Sequence, residues 1–256
     1  MTKILTNPQG KVYISSGGKA LLSTGGGSAT LITKTITQNG TYNASSDNAD
    51  GYSSVTVNVS SGGVTPTRIT DDNNNEIGTW ICNFTDANNN TYKVVVLDAQ
   101  YRGASMQILS YGNTIPNLPL YTALIASNVW NAKETATSNT QLILDYVSST
   151  TLTSSACTHC RSQSFTIGGR TYYGQVPNII ELAEIAKLYN TIESMDTTAS
   201  SYPSTNFSAA NRNIWSSTQN YSRYMWEVTS EGALVGGSQT SSYLACPVLE
   251  LPNALS

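Results

Sequence analysis

Residues 213–251 read NIWSSTQNYSRYMWEVTSEGALVGGSQTSSYLACPVLEL. Apolar residues recur in short strand-like blocks, Ile214-Trp-Ser-Ser-Thr218 and Tyr224-Met-Trp-Glu-Val228, and the run closes on Pro247-Val-Leu-Glu-Leu251, which reads as a final core strand. The polar positions between them follow no catalytic pattern. Tyr221, Ser222, Arg223 and Tyr224 stand together, and after a turn at Gly232 come Ser238, Thr240, Ser241, Ser242 and Tyr243. Tyr, Ser, Gly, Asn and Arg are the vocabulary of adaptable binding surfaces, combining rigid amphipathic rings, small hydrogen-bonding groups and a planar cation. The run therefore predicts a scaffold whose terminal strands and loops display a ligand-binding surface made of those residues. Ordinary strand and loop polarity in a Ser-rich chain is the alternative.

Outward from this run, the composition is polar without being charged. The 256 residues include 33 Ser, 33 Thr and 24 Asn, while charged residues make up 11%, against about a quarter in soluble domains generally. Hydroxyl- and amide-rich chains of this kind are commonly β-rich and extracellular or virion-exposed. A net charge of −3 with scattered Lys and Arg argues against nucleic acid as partner, because phosphate binding needs a concentrated basic face. No apolar run is long enough to span a bilayer, and Met1-Thr-Lys-Ile-Leu-Thr-Asn-Pro8 has no apolar signal core. We therefore expect no membrane insertion and synthesis in a cytoplasm without a signal peptide, with Cys82, Cys157, Cys160 and Cys246 reduced during folding.

Four segments follow from pattern and punctuation. Residues 1–30 hold one short strand candidate, Lys11–Ser15, and a glycine-rich spacer at Thr24-Gly-Gly-Gly-Ser28, which suits an attachment arm. Residues 31–60 read as a small all-β module: Leu31–Thr37 alternates, Asn39-Gly40 is a hairpin signal, and Ser54–Val59 alternates again. Residues 61–67 read as a linker. Residues 68–256 form the main domain, opening with a hairpin from Trp80–Phe84 and Thr91–Leu97 around Asn88–Asn90, with a further strand candidate at Met106–Leu109. Two helices are predicted. Ser138–Val147 places Leu142, Ile143, Tyr146 and Val147 on one stripe behind a Ser or Asn cap. A second runs from Pro177, in its first turn, to Tyr189, burying Leu182, Ile185, Ala186 and Tyr189 and turning Glu181, Glu184 and Lys187 to water. Hairpin, helices and then terminal antiparallel strands make an α+β arrangement.

With the pieces in order, a resemblance emerges. Ile214-Trp-Ser-Ser-Thr218, Tyr224-Met-Trp-Glu-Val228, the Gly232 turn, Cys246-Pro-Val248 and the helix opening Val176-Pro-Asn-Ile-Ile-Glu-Leu182 resemble the variable proteins of diversity-generating retroelements. These have a C-type-lectin fold and belong to its formylglycine-generating-enzyme-like branch. The likeness covers about residues 75–251. Thr35–Ala44 with Gly51–Val59 looks like a small β module of phage and gut-bacterial surface proteins, and Met1–Leu22 is similar to the opening of tail-fibre proteins.

The resemblance implies a non-enzymatic receptor-binding protein of a phage tail fibre, or a bacterial surface protein, whose partner is a host cell-surface protein or glycan. It implies a homo-oligomer, with a trimer as the family pattern. In such systems mutagenic reverse transcription replaces adenines, so that AAC or AAT codons yield Tyr, Ser, Asn, Arg, Gly, Thr or Cys. All nine candidate binding residues belong to that set. Trp215, Met225 and Trp226 do not, and with Val228, Pro247, Val248 and Leu249 they form the implied fixed frame. Cys246 stands where the family commonly has Arg, which makes it a further candidate for variation.

The chemical motifs are weaker. Cys157-Thr-His-Cys160 resembles half of a zinc site or a redox pair, but no second C-x-x-C completes it, so a loop disulfide or two idle thiols is the preferred reading. Formylglycine-type chemistry needs a late cysteine pair, and Cys246 stands alone there. With His159 the single histidine, a Ser-His-Asp triad is disfavoured. Glu181 and Glu184 have the spacing of a solvated helix face. Trp130-Asn-Ala132 lacks the carboxylate of a lectin calcium motif, and Asp71–Glu76 reads as a solvated turn. No catalytic residue, metal or cofactor is therefore expected. An enzyme with altered chemistry, or a structural virion or adhesin component without a diversified surface, are the competing readings.

Overall fold

The computed structural model describes residues 64–121, 132–207, 213–229 and 232–253, together with five short strands that precede them. The chain divides into two units, Met1–Gly63 and Val64–Ser256. In the first, β1 (Thr2–Ile4), β2 (Lys19–Thr24) and β3 (Ile32–Thr35) form an antiparallel three-stranded sheet, and β4 (Gly40–Tyr42) pairs with β5 (Val55–Val57). The hairpin expected at Asn39-Gly40 is not what forms: β3 pairs back onto β2, and Gly40 opens a strand of its own. The division expected at residue 30 thus runs between two hydrogen-bonded strands. The strand candidate Lys11–Ser15 lies outside the described residues.

In the second unit, β6 (Thr67–Thr70), β7 (Glu76–Thr85) and β8 (Thr91–Leu97) make a meander that β16 (Val248–Pro252) completes, in the order β16-β8-β7-β6. The two meander turns share one sequence pattern and one geometry. In Asp71-Asp-Asn-Asn-Asn75 and Asp86-Ala-Asn-Asn-Asn90, the leading Asp accepts from the backbone N–H groups two and four residues on and from the last Asn side chain. Asn74 and Asn89 take φ of 62° and 63°, a left-handed conformation that Asn tolerates well. The Asp71 turn is exposed, as expected, and its carboxylate is occupied by its own loop.

Strand β8 reads as unbroken Val94-Val-Val-Leu97, all fully buried, because both faces of its sheet are covered. Val94 and Val96 join one core with Phe84, Leu182, Ile185, Ile214 and Val228. Val95 and Leu97 point the other way, to Ile77, Leu249 and Leu251, with Phe165, Ile167 and Tyr172 packed over them. Those last three belong to the hairpin β10 (Ser164–Ile167) and β11 (Arg170–Tyr173).

A five-stranded sheet carries the terminal run, in the order β14-β13-β12-β15-β9, with β9 (Gly103–Met106), β12 (Ile214–Tyr221), β13 (Tyr224–Val228), β14 (Leu234–Ser238) and β15 (Tyr243–Ala245). Two expectations change here. The terminal strands are not antiparallel throughout: β12 and β15 run parallel, since β14 returns beyond β13 and the chain must cross back. The strand candidate at Met106–Leu109 shifts upstream, because Ile108 and Leu109 donate their N–H groups to Gln239 O instead of a ladder.

Among the described residues there are four α-helices rather than two: α1 (Ala136–Ser148), α2 (Ser155–Ser162), α3 (Ile179–Lys187) and α4 (Tyr189–Met195). None is long and apolar enough to cross a membrane. Helix α1 is capped by Thr135, whose side chain accepts from Ser138 N. Helix α2 carries the Cys157-Thr-His-Cys160 motif, so those cysteines are not a loop pair. Both thiols are fully buried among Ile108, Ile143, Val176 and Trp215, and both are free. Burial pushes the Cys157 thiol up to about 12, which describes an inert apolar side chain. His159 turns away and bonds Tyr101 O at 2.9 Å. No cluster of metal-ligating side chains occurs among the described residues.

Helix α3 packs against both sheets. Pro177 precedes it, Asn178 caps it, and Glu181 closes a capping box by accepting from Asn178 N at 2.8 Å. Glu181 is therefore fully buried rather than solvated. Its Oε1 meets no donor, and burial beside Glu250 drives its pKa well above the carboxylate range. Glu250 in turn accepts from Ala136 N and Thr137 N at the start of α1, where the helix dipole favours negative charge.

Candidate ligand-binding surface

The nine residues predicted from sequence lie at the ends of β12–β15. Tyr221 pairs with Tyr224 across the β12–β13 turn, and Tyr224 pairs with Ser238 on β14. Directly paired residues share a sheet face, so Tyr221, Tyr224 and Ser238 form one row across three strands. Both rings stand out into solvent, Tyr221 at 60% and Tyr224 at 44% exposure. Ser222 and Arg223 make the turn between them, with Arg223 exposed. After Ser238 the chain turns through Thr240, Ser241 and Ser242, and Ser238 Oγ and Thr240 Oγ1 lie 3.0 Å apart. The structure thus brings two turns, Tyr221–Tyr224 and Ser238–Ser242, side by side at one end of the sheet.

Tyr243 departs from this group. Its neighbour Leu244 pairs with Ile214 and faces the inter-sheet core, so Tyr243 points to the opposite face. There its ring packs on Trp215, with centroids 4.5 Å apart. Cys246, the other candidate for variation, is fully buried in the inter-sheet core, and burial raises its thiol to about 11. It lies in the frame and not on the surface.

Two buried glutamines, unmarked by any sequence pattern, hold the turns in place. Gln219 sends its side-chain amide to the carbonyls of Tyr221 and Ser222, both at 3.2 Å. Gln239 is 0% exposed; its backbone N donates to Arg223 O, and its Oε1 accepts from Asn113 N at 2.8 Å. These bonds tie the terminal turns to a third element, the loop from Gln107 to Tyr121. Gly112 of that loop lies against the aliphatic stem of Arg223, where a Cβ would come within 3.3 Å of Arg223 Cβ. Thr114 Oγ1 donates to Ser222 O, Gln107 Nε2 donates to Thr240 O, and Leu120 bridges to Gln219. The loop adds its own exposed apolar side chains, Tyr111 at 61% and Leu120 at 52%. Sequence reading missed this loop because it lies about a hundred residues upstream.

Beneath the surface, on the Tyr243 side, lies an unusual acid. Glu227 is 3% exposed, and its Oε1 accepts from Asn213 at 3.0 Å. Its Oε2 fills the space that a Cβ at Gly237 would occupy. Burial lifts its pKa to about 7, with Asn213 and Tyr243 pulling it part of the way back. What the arrangement presents is a rigid, ring-bearing and almost uncharged surface. Residues 130 and 131 of the Trp130-Asn-Ala132 motif lie outside the described residues. The chain matches no protein-family model, no curated protein and no solved structure.

Proposed function

We propose that this protein is a non-enzymatic ligand-binding protein that displays a diversified surface, serving phage adsorption to a bacterial host or an equivalent bacterial adhesion. The observation that carries the proposal is the side-by-side placement of the Tyr221–Tyr224 and Ser238–Ser242 turns on a frame of buried residues. The division of residue types supports diversification. Met225, Trp215, Trp226, Gln219 and Gln239 are buried, and none can arise by adenine replacement in an AAC or AAT codon. Tyr221, Arg223, Tyr224, Thr240 and Ser242 are exposed, and all can. Changes confined to the second set alter the ligand without unfolding the frame. The C-type-lectin fold is proposed on the resemblance of residues 75–251, together with the mixed α+β architecture. Assembly as a homo-oligomer, with residues 1–63 in attachment, would let weak individual sites hold a cell through multivalency.

The test has a genomic and a binding arm. An adenine-rich near-copy of the codons for residues 213–251 should lie beside a reverse-transcriptase gene; its absence would remove diversification from the proposal. Adsorption of labelled protein to panels of host cells and glycan arrays should fall on Tyr221→Ala and Tyr224→Ala by about 10-fold or more, as for aromatic anchors at interface centres. Unchanged adsorption in both variants would remove the binding surface itself.

A further inference from the structure

A second site lies away from this surface, between the β10–β11 hairpin, the start of β8, the end of β16 and the N-terminus of α1. A cleft of about 340 Å³ opens there, walled by Tyr92, Tyr172 and Tyr173, with Arg161, Gln175 and Glu250 supplying its polar groups. That volume is at the small end of ligand pockets, which run from about 300 to 1,000 Å³. Three polar atoms on these walls are shielded from solvent and have no partner: Gln175 Oε1, Tyr172 Oη and Arg161 Nε. Gln175 is 3% exposed, and its amide nitrogen is already committed to Tyr173 O at 2.8 Å. A buried polar atom left unpaired is costly, and native interiors seldom leave three on one cleft.

The chemistry selects a ligand class. The cleft's two charges oppose each other, and each is engaged elsewhere: Glu250 accepts from Ala136 N and Thr137 N, and Arg161 Nη2 donates to Gln141 at 2.8 Å. No net charge therefore calls for an ion. The unpaired set mixes an acceptor, a donor and a hydroxyl, which complements groups that both donate and accept. Tyr173, 48% exposed at the rim, lies 6.0 Å from the Arg161 guanidinium, and its ring offers a flat apolar face.

We propose that this cleft, with the rim ring of Tyr173 swung outward to uncover Arg161 and the floor, binds an uncharged mono- or disaccharide. One sugar face stacks on Tyr173, and the hydroxyls complete Gln175 Oε1, Tyr172 Oη and Arg161 Nε. This site is independent of the ligand surface at the β12–β15 turns, and either could exist without the other.

The test is titration of the isotope-labelled full chain with glucose, N-acetylglucosamine and cellobiose, read by amide chemical shifts. At least one sugar should give saturable shifts confined to residues 135–137, 171–175 and 250–252. Thr171→Trp, an exposed position on the cleft wall, fills the opening without touching the core and should weaken binding at least tenfold; Gln175→Leu should do the same. If no sugar gives saturable shifts there, the unpaired atoms are served by water alone and the proposal falls. It also falls if Thr171→Trp binds as the parent does, or if glucuronate or glycine saturates the site at lower concentration than every neutral sugar.

Discussion

Glu227 shows how one side chain ties the frame to pH. The unfolded chain releases this proton near the ordinary glutamate value, whereas burial holds it to about 7 in the folded state. Between those values the native state binds more protons than the unfolded one. Its contribution is therefore most favourable at low pH and is lost as pH rises through the window. Glu181, raised by burial and by Glu250, acts with the same sign. Glu227→Gln should be about as stable as the parent at pH 5 and more stable at pH 8, by on the order of 2 kcal/mol. Denaturant melts of both proteins at the two pH values would show it; a gap that does not widen with pH contradicts the assignment. Gln239 belongs to the same scale. Its side chain is the acceptor for Asn113 N, so Gln239→Ala should cost about 1–3 kcal/mol and free the Gln107–Tyr121 loop. Faster amide exchange at Ile108, Leu109 and Asn113 is the expected signature.

At the scale of elements, the segment following α4 is anchored by a buried ion pair as well as by apolar burial of Phe207. Asp196 ends the helix and accepts from Ala99 N at 2.7 Å and from Arg102 Nη2 at 3.3 Å, with both side chains fully buried. Arg102 also donates to the carbonyls of Leu97 and Thr205, and its guanidinium lies 4.0 Å from the Phe207 ring centroid. Removing one partner of a buried pair leaves the other uncompensated, at about 3–5 kcal/mol. Asp196→Ala should therefore lower the melting temperature far more than an exposed change such as Lys187→Ala. Calorimetry on the two variants would decide it. Helices α1 and α3 were legible from their apolar stripes, although α1 is capped by Thr135 and not by the Ser or Asn expected. Helix α2 was not. It is eight residues long and polar on average, with just three small buried side chains, and only tertiary packing turns Cys157 and Cys160 into core.

For the whole molecule, residues 64–256 contain their own cores, with the four-stranded sheet covered on both faces. A chain of those residues alone should fold cooperatively, with the same near-ultraviolet dichroism in its aromatic bands. Truncation before Val248 should abolish folding, because β16 supplies Val248, Leu249 and Leu251 to the two cores that flank β8.

Local chemistry determined much of this protein from its sequence: the β7–β8 hairpin, the paired Asp-led turns, the α3 amphipathic stripe and the polarity of the terminal turns. Each depends on neighbours a few positions away. Only the tertiary structure decided that β12 and β15 run parallel, that Tyr243 faces Trp215 and not the solvent row of Tyr221 and Tyr224, and that Glu181 is buried against Glu250. It also set the Gln107–Tyr121 loop against the terminal turns. The bonds responsible, such as Asn113 N to Gln239 and Ala136 N to Glu250, span 126 and 114 residues. A polar side chain in sequence has no marker for whether such a distant partner waits for it, because burial of a polar group is stable only once the whole chain has closed around that bond.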